Sequence, residues 1–76
     1  MYKSQITING IDAARSFVAM TAKYPKIRIT LNHNEYEINA HSIIGVLSLD
    51  MTKPIEIEAE GDDLEPFIND LKPFSV

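Results

Sequence analysis

The stretch Ile55-Glu56-Ile57-Glu58-Ala59-Glu60 alternates strictly between apolar and acidic side chains. Successive residues of a strand point to opposite faces, so Ile55, Ile57 and Ala59 share one face and three carboxylates share the other. Such a strand must bury one side and leave the other in water. That requirement points to an antiparallel sheet with a single covered face, because parallel sheets are buried on both sides.

The rest of the chain repeats the pattern. Residues 4–8 alternate, with Ile6 and Ile8 on one side, and Asn9-Gly10 then supplies a turn. Ile27, Ile29 and Leu31 alternate up to a polar turn, Asn32-His33-Asn34-Glu35, after which Tyr36, Ile38 and Ala40 continue. This predicts an antiparallel hairpin. Between these segments the period changes. Ala14, Phe17, Val18, Thr21 and Ala22 fall at helical spacing, as do Leu64, Phe67, Ile68 and Leu71. Asp12 is the predicted N-cap of the first helix, and Pro25 is its predicted stop. Pro66 suits the first turn of the last helix, where a missing N–H costs little, and Pro73 ends that helix. Ser42 opens a short helix over residues 43–48. The expected fold is α+β, an open-faced sandwich in the order β-α-β-β-α-β-α. A four-stranded antiparallel sheet carries three helices on one face.

At 76 residues the chain is read as one domain, residues 1–76, near the lower size limit for independent folding. It has no cysteine, so packing alone must hold it, and a reducing cytoplasm is the expected setting. No apolar run approaches membrane-spanning length, and the opening MYKSQITING lacks the apolar core of a signal peptide. The net charge of −4, with thinly spread lysines and arginines, argues against nucleic-acid binding. No cofactor is implied. His33 and His41 are the only histidines, and neither has a cysteine or a carboxylate at ligand spacing, so no metal site is expected. Catalytic residues do not cluster, and an independent enzyme is not expected.

The segment NAHSIIGVLSLD, residues 39–50, places Ile43, Ile44, Val46, Leu47 and Leu49 around one serine. Val46 and Leu49, three apart, are the predicted core contacts, which leaves Ile43, Ile44 and Leu47 partly outside. Clustered exposed apolar residues mark interaction sites. Here they read as a docking patch, a homodimer contact, or a surface covered by neighbouring loops.

Ser42-Ile43-Ile44-Gly45-Val46-Leu47-Ser48-Leu49 resembles the regulatory-serine segment of the HPr family. These are small phosphocarrier proteins of the bacterial phosphoenolpyruvate:sugar phosphotransferase system. The sequel fits as well: a turn, the strand IEIEAEG and an acidic helix start at Asp62-Asp63. The resemblance runs essentially end to end, with a shorter last helix than is usual. It implies a cytoplasmic protein that meets enzyme I, enzyme IIA components, a serine kinase and a catabolite-control transcription regulator.

The family carries its phosphoryl group on a histidine in a G-[IL]-H-x-R-P-A loop at the start of the first helix. Here the loop reads Asn9-Gly10-Ile11-Asp12-Ala13-Ala14-Arg15-Ser16. Gly10-Ile11 is kept, Asp12 stands at the histidine position, and the Arg-Pro pair is missing. An imidazole is a good nucleophile near neutral pH and passes its phosphoryl group on readily. A carboxylate at Asp12 would instead form an acyl phosphate, or simply cap the helix. The resemblance implies Ser42 as a regulatory phosphorylation site. Its capping position suits this role, because free amides and the positive end of the helix dipole face an added phosphate. Arg15 and His41 are the candidate anion contacts.

Overall fold

The computed structural model describes residues 1–33, 35–49 and 52–75. Its strands are β1 (Tyr2–Ile6), β2 (Arg28–His33), β3 (Tyr36–Asn39) and β4 (Ile55–Glu60), and its helices are α1 (Ile11–Thr21), α2 (Ile43–Leu47) and α3 (Glu65–Leu71). A 3₁₀ turn, Lys72–Phe74, follows α3. The strands form one antiparallel sheet in the order β1-β4-β2-β3. This is the predicted α+β open-faced sandwich.

The alternation in β4 sets the two faces. Ile55, Ile57 and Ala59 are buried, together with Ile6 of β1 and Ile29 and Leu31 of β2. The opposite face carries Lys3, Gln5, Arg28, Glu56 and Glu60, all exposed. There Lys3 pairs with Glu58 at 3.5 Å, and Asn32 donates to Glu56 at 3.2 Å. All three helices contribute to the core on the apolar face: Ala14, Phe17 and Met20 from α1, Val46 from α2, and Phe67 and Leu71 from α3. Burying a side chain the size of phenylalanine is worth roughly 1.5–3 kcal/mol, so Phe17 and Phe67 are principal anchors.

Several predicted boundaries move. β1 starts at Tyr2 and ends at Ile6, because its ladder runs out where Ile6 meets Ile55, the first residue of β4. Ile8 lies beyond the strand and is still fully buried. The C-terminal tail takes over the freed edge: Thr7 N–H donates to the Phe74 carbonyl at 2.8 Å, and Ile6 bridges Ser75. The predicted hairpin turn is tighter than expected. β2 continues through Asn32 and His33, and His33 pairs with Tyr36. Asn34 of that turn lies outside the described residues.

Asp12 is not the N-cap of α1. Gly10 occupies that position with φ 95°, and it makes no side-chain capping bond. Only glycine enters that backbone region without penalty, so the chain turns into the helix before Asp12, which becomes a first-turn acid. The helix also stops at Thr21, ahead of Pro25. The Thr21 hydroxyl donates back to the Val18 carbonyl at 2.8 Å, and the chain leaves through turns closed by Lys23 N–H on Met20 and Tyr24 N–H on Thr21. Ala22 consequently falls beyond the helix and is exposed, while Met20 joins the core.

Two contacts fix α3 and α2. Tyr24 packs edge-on against Phe67, with ring centroids 5.6 Å apart, and its hydroxyl donates to Asp70 at 2.5 Å. Lys23 reaches the same carboxylate at 2.8 Å. The hydrogen bond from Lys23, followed by that from Tyr24, holds the Asp70 carboxyl below its ordinary range. On the other side of the fold, Gly45 lets α2 settle close to β3. A methyl group added there would lie 2.8 Å from Ile38 Cγ2.

Asp70→Asn is expected to lower the unfolding temperature at neutral pH. The folded-state carboxyl titrates below its unfolded value, so its contribution is complete above the ordinary carboxylate range and fades as pH falls through the folded value. Thermal unfolding curves of wild type and variant should separate at neutral pH and merge in strong acid; a gap independent of pH would overturn the assignment. Gly45→Ala is expected to destabilise the fold by about 1–3 kcal/mol through overpacking, against a helix-propensity gain of about 1 kcal/mol. The same change made on an Ile38→Ala background should lose its penalty. Chemical denaturation of the four proteins of that cycle tests this, and equal penalties in both backgrounds would rule out the contact.

Candidate functional site

The candidate residues sit on two elements. Asp12 and Arg15 lie in the first turns of α1, both exposed. Ser42 opens α2 in extended conformation, with φ −97° and ψ 111°. Its Oγ accepts from Gly45 N–H at 3.2 Å, and its carbonyl accepts from Val46 N–H at 2.9 Å. The predicted N-cap is therefore present, and the serine is exposed. At five residues, α2 has little macrodipole. What it offers an anion is the first-turn amides of Ile43 and Ile44, which have no intrahelical carbonyl to reach.

The helix divides its apolar residues as its spacing predicts. Val46 is fully buried and Leu49 is 7% exposed, whereas Ile44 is 80% and Leu47 42% exposed. Ile43 is half-buried at the boundary. Ile11, the first residue of α1, is also largely exposed. Sequence reasoning passed over it because it precedes the buried stripe that begins at Ala14. The signal was its place directly after the Gly10 turn and ahead of that stripe.

The approach to α2 is closely hydrogen-bonded. His41 N–H donates to Asn39 Oδ1 at 2.9 Å, and Ser42 N–H donates to the Asn39 carbonyl at 3.0 Å. The Thr21 hydroxyl reaches the Ala40 carbonyl at 3.4 Å, which ties the end of α1 to this approach. The His41 ring is held: its Nε2 donates to the Ile27 carbonyl at 3.1 Å. Among the described residues, no hydrogen bond or ion pair joins Asp12 or Arg15 to Ser42 or His41. The four polar candidates thus form no single polar cluster.

Neither imidazole belongs to the loop that starts α1. His33 ends β2, and His41 is committed to the loop at Ile27. No group of three or more histidine, cysteine or acidic side chains among the described residues is placed to hold a metal ion. No helix among them is long and apolar enough to cross a membrane.

No curated protein sequence matches this chain. Solved structures do. HPr-C-His from Thermoanaerobacter tengcongensis is 29% identical with a TM-score of 0.80, over 96% of this chain and 89% of that one. The phosphocarrier protein HPr of Bacillus anthracis is 24% identical with a TM-score of 0.73, over 99% and 94%. The Bacillus subtilis catabolite repression protein Crh, described as a swapped dimer, is 22% identical with a TM-score of 0.66, over 93% and 87%. The family model described as the PTS HPr component phosphorylation site matches residues 10–75. With the fold, the capped serine helix and this match in agreement, the chain belongs to the HPr family of the phosphotransferase system.

Proposed function

We propose that this HPr-family protein has given up phosphohistidine transfer and acts as a protein-docking and regulatory module through the Ser42 helix and its apolar patch. The observation that carries this reading is the make-up of the α1 entrance. It runs Gly10, Ile11, Asp12, with a backbone-only cap and no imidazole in the loop. A phosphocarrier needs a nucleophile there whose phosphorylated form releases its phosphoryl group readily. The α2 side supports the other half of the reading, since an exposed capping serine stands beside exposed Ile44 and Leu47. A phosphate on Ser42 would add a charge of about −2 to the rim of that patch and change its affinity for a partner without a change of fold. The partners of this reading are the enzyme I, enzyme IIA, serine kinase and catabolite-control regulator of the family. It sets the chain beside neighbours such as the catabolite repression protein Crh.

The second reading retains phosphotransfer through Asp12. Its favouring observation is that Asp12 is an exposed first-turn carboxylate with exposed Arg15 one turn further along.

Enzyme I with phosphoenolpyruvate separates the two. The expected result is no acid-labile phosphate on the chain; a stoichiometric phosphohistidine or Asp12 acyl phosphate would overturn the docking reading. An HPr serine kinase with ATP is expected to add one phosphoryl group, seen by mass spectrometry, that is absent in Ser42→Ala and in Ser42→Asn. The asparagine variant keeps a capping side chain, so loss of modification there is not a matter of lost stability. A phosphoryl group that persists in both variants would refute the assignment to Ser42.

A further inference from the structure

We propose that a cleft at the mouth of the β2–β3 hairpin binds a small polyanion, a molecule carrying two or more phosphate or carboxylate groups. The cleft has a volume of about 500 Å³ and lies where β2 begins and β3 ends, with Lys26, Arg28, Thr30, Glu37 and His41 among its lining residues. None of its lining residues belongs to α1 or α2, so it is separate from the Ser42 helix.

Its charge runs against that of the molecule. The chain carries −4 overall, and the sheet face that holds Arg28 and Thr30 also carries Glu56, Glu58 and Glu60. In the cleft, Lys26 and Arg28 outweigh Glu37. Among the described residues, Lys26 and Arg28 enter no ion pair, although Glu60 stands opposite Arg28 in the ladder. No ion pair fixes either side chain, so both can turn toward a ligand, with Arg28 drawn also by Glu58 and Glu60 on its other side. An arginine fork suits two oxygens of one anionic group, and a lysine supplies a point charge for a second group.

The walls are already built. His41 Nε2 on the Ile27 carbonyl and Ala40 N–H on the Ile29 carbonyl lock the two sides of the mouth together, and His41 N–H on Asn39 Oδ1 braces one of them. A ligand would pay little to order them, which is the condition under which a few charged contacts give measurable affinity. The wall Asn39–His41 leads directly into Ser42, so an occupant would touch the approach to α2.

The test is a titration of ¹⁵N-labelled protein with pyrophosphate and, separately, citrate, at constant ionic strength, with sodium chloride as control. Saturable amide shifts are expected at residues 26–30 and 37–41. Lys26→Ala with Arg28→Ala should weaken binding about tenfold or more, and Glu37→Gln should strengthen it about threefold, as expected when opposing charges act at close range. These positions are exposed, and unfolding curves would verify that the variants fold. Binding of pyrophosphate alone assigns a phosphorylated ligand, of citrate alone a polycarboxylate, and of both a general polyanion site. Shifts that stay linear and match the chloride control, saturable binding centred elsewhere, or affinities unchanged in these variants would overturn the proposal.

Discussion

Everything in this fold depends on covering one apolar sheet face. The sheet is only four strands wide, and its second face is left to water and to carboxylates. The covering helices are short, so each is held by few anchors. Phe17 fixes α1 and Phe67 fixes α3, both fully buried. Aromatic edge contacts extend these anchors outward. Phe74 packs against Phe17 at 5.4 Å, and Tyr24 against Phe67 at 5.6 Å. The C-terminal turn is thereby joined to the first helix, and the last helix to the loop that follows α1. In a small domain with no disulfide, such links between chain ends restrict the opening of the terminal segments.

α2 is held differently. At five residues it would not persist alone, so its existence rests on its surroundings. Val46 and Leu49 reach the core, Gly45 permits close approach to Ile38, and Ser42 closes the first turn. These contacts account for the inward side. The outward side keeps Ile44 exposed in a chain too small to bury everything. In the proposed docking role, a helix fixed on one side and apolar on the other would bind at little ordering cost.

The chain belongs to the HPr family, and the loop that enters α1 holds no imidazole. Phosphoryl relay requires a nucleophile that both accepts and surrenders the group. The loop supplies a glycine cap, an isoleucine and a carboxylate. The His41 ring donates through Nε2 to a backbone carbonyl across a loop. The basic cleft beside it uses that same hydrogen bond as a wall.

Much of this was legible in the chain. Period-two and period-3.6 patterns identified the four strands and the helices α1 and α3, because each pattern records which face of a local element is buried. The inward position of Val46 and Leu49 and the Ser42 cap followed from spacing and capping chemistry over a few residues. The absence of an imidazole from the α1 loop was readable directly. What the sequence did not decide was every relation between distant segments. The strand order β1-β4-β2-β3, the bond from Tyr24 to Asp70 across 46 positions, the tail that relieves the end of β1, and the loop that engages His41 depend on pairing between remote parts of the chain. The cap at Gly10 was missed for a related reason. A backbone angle of 95° is set by how the loop must enter the helix, and a capping preference read from side chains alone favoured Asp12. Local periodicity determined which face of each element is buried; only the tertiary structure decided which elements meet, because that choice is made by contacts that no short window of sequence contains.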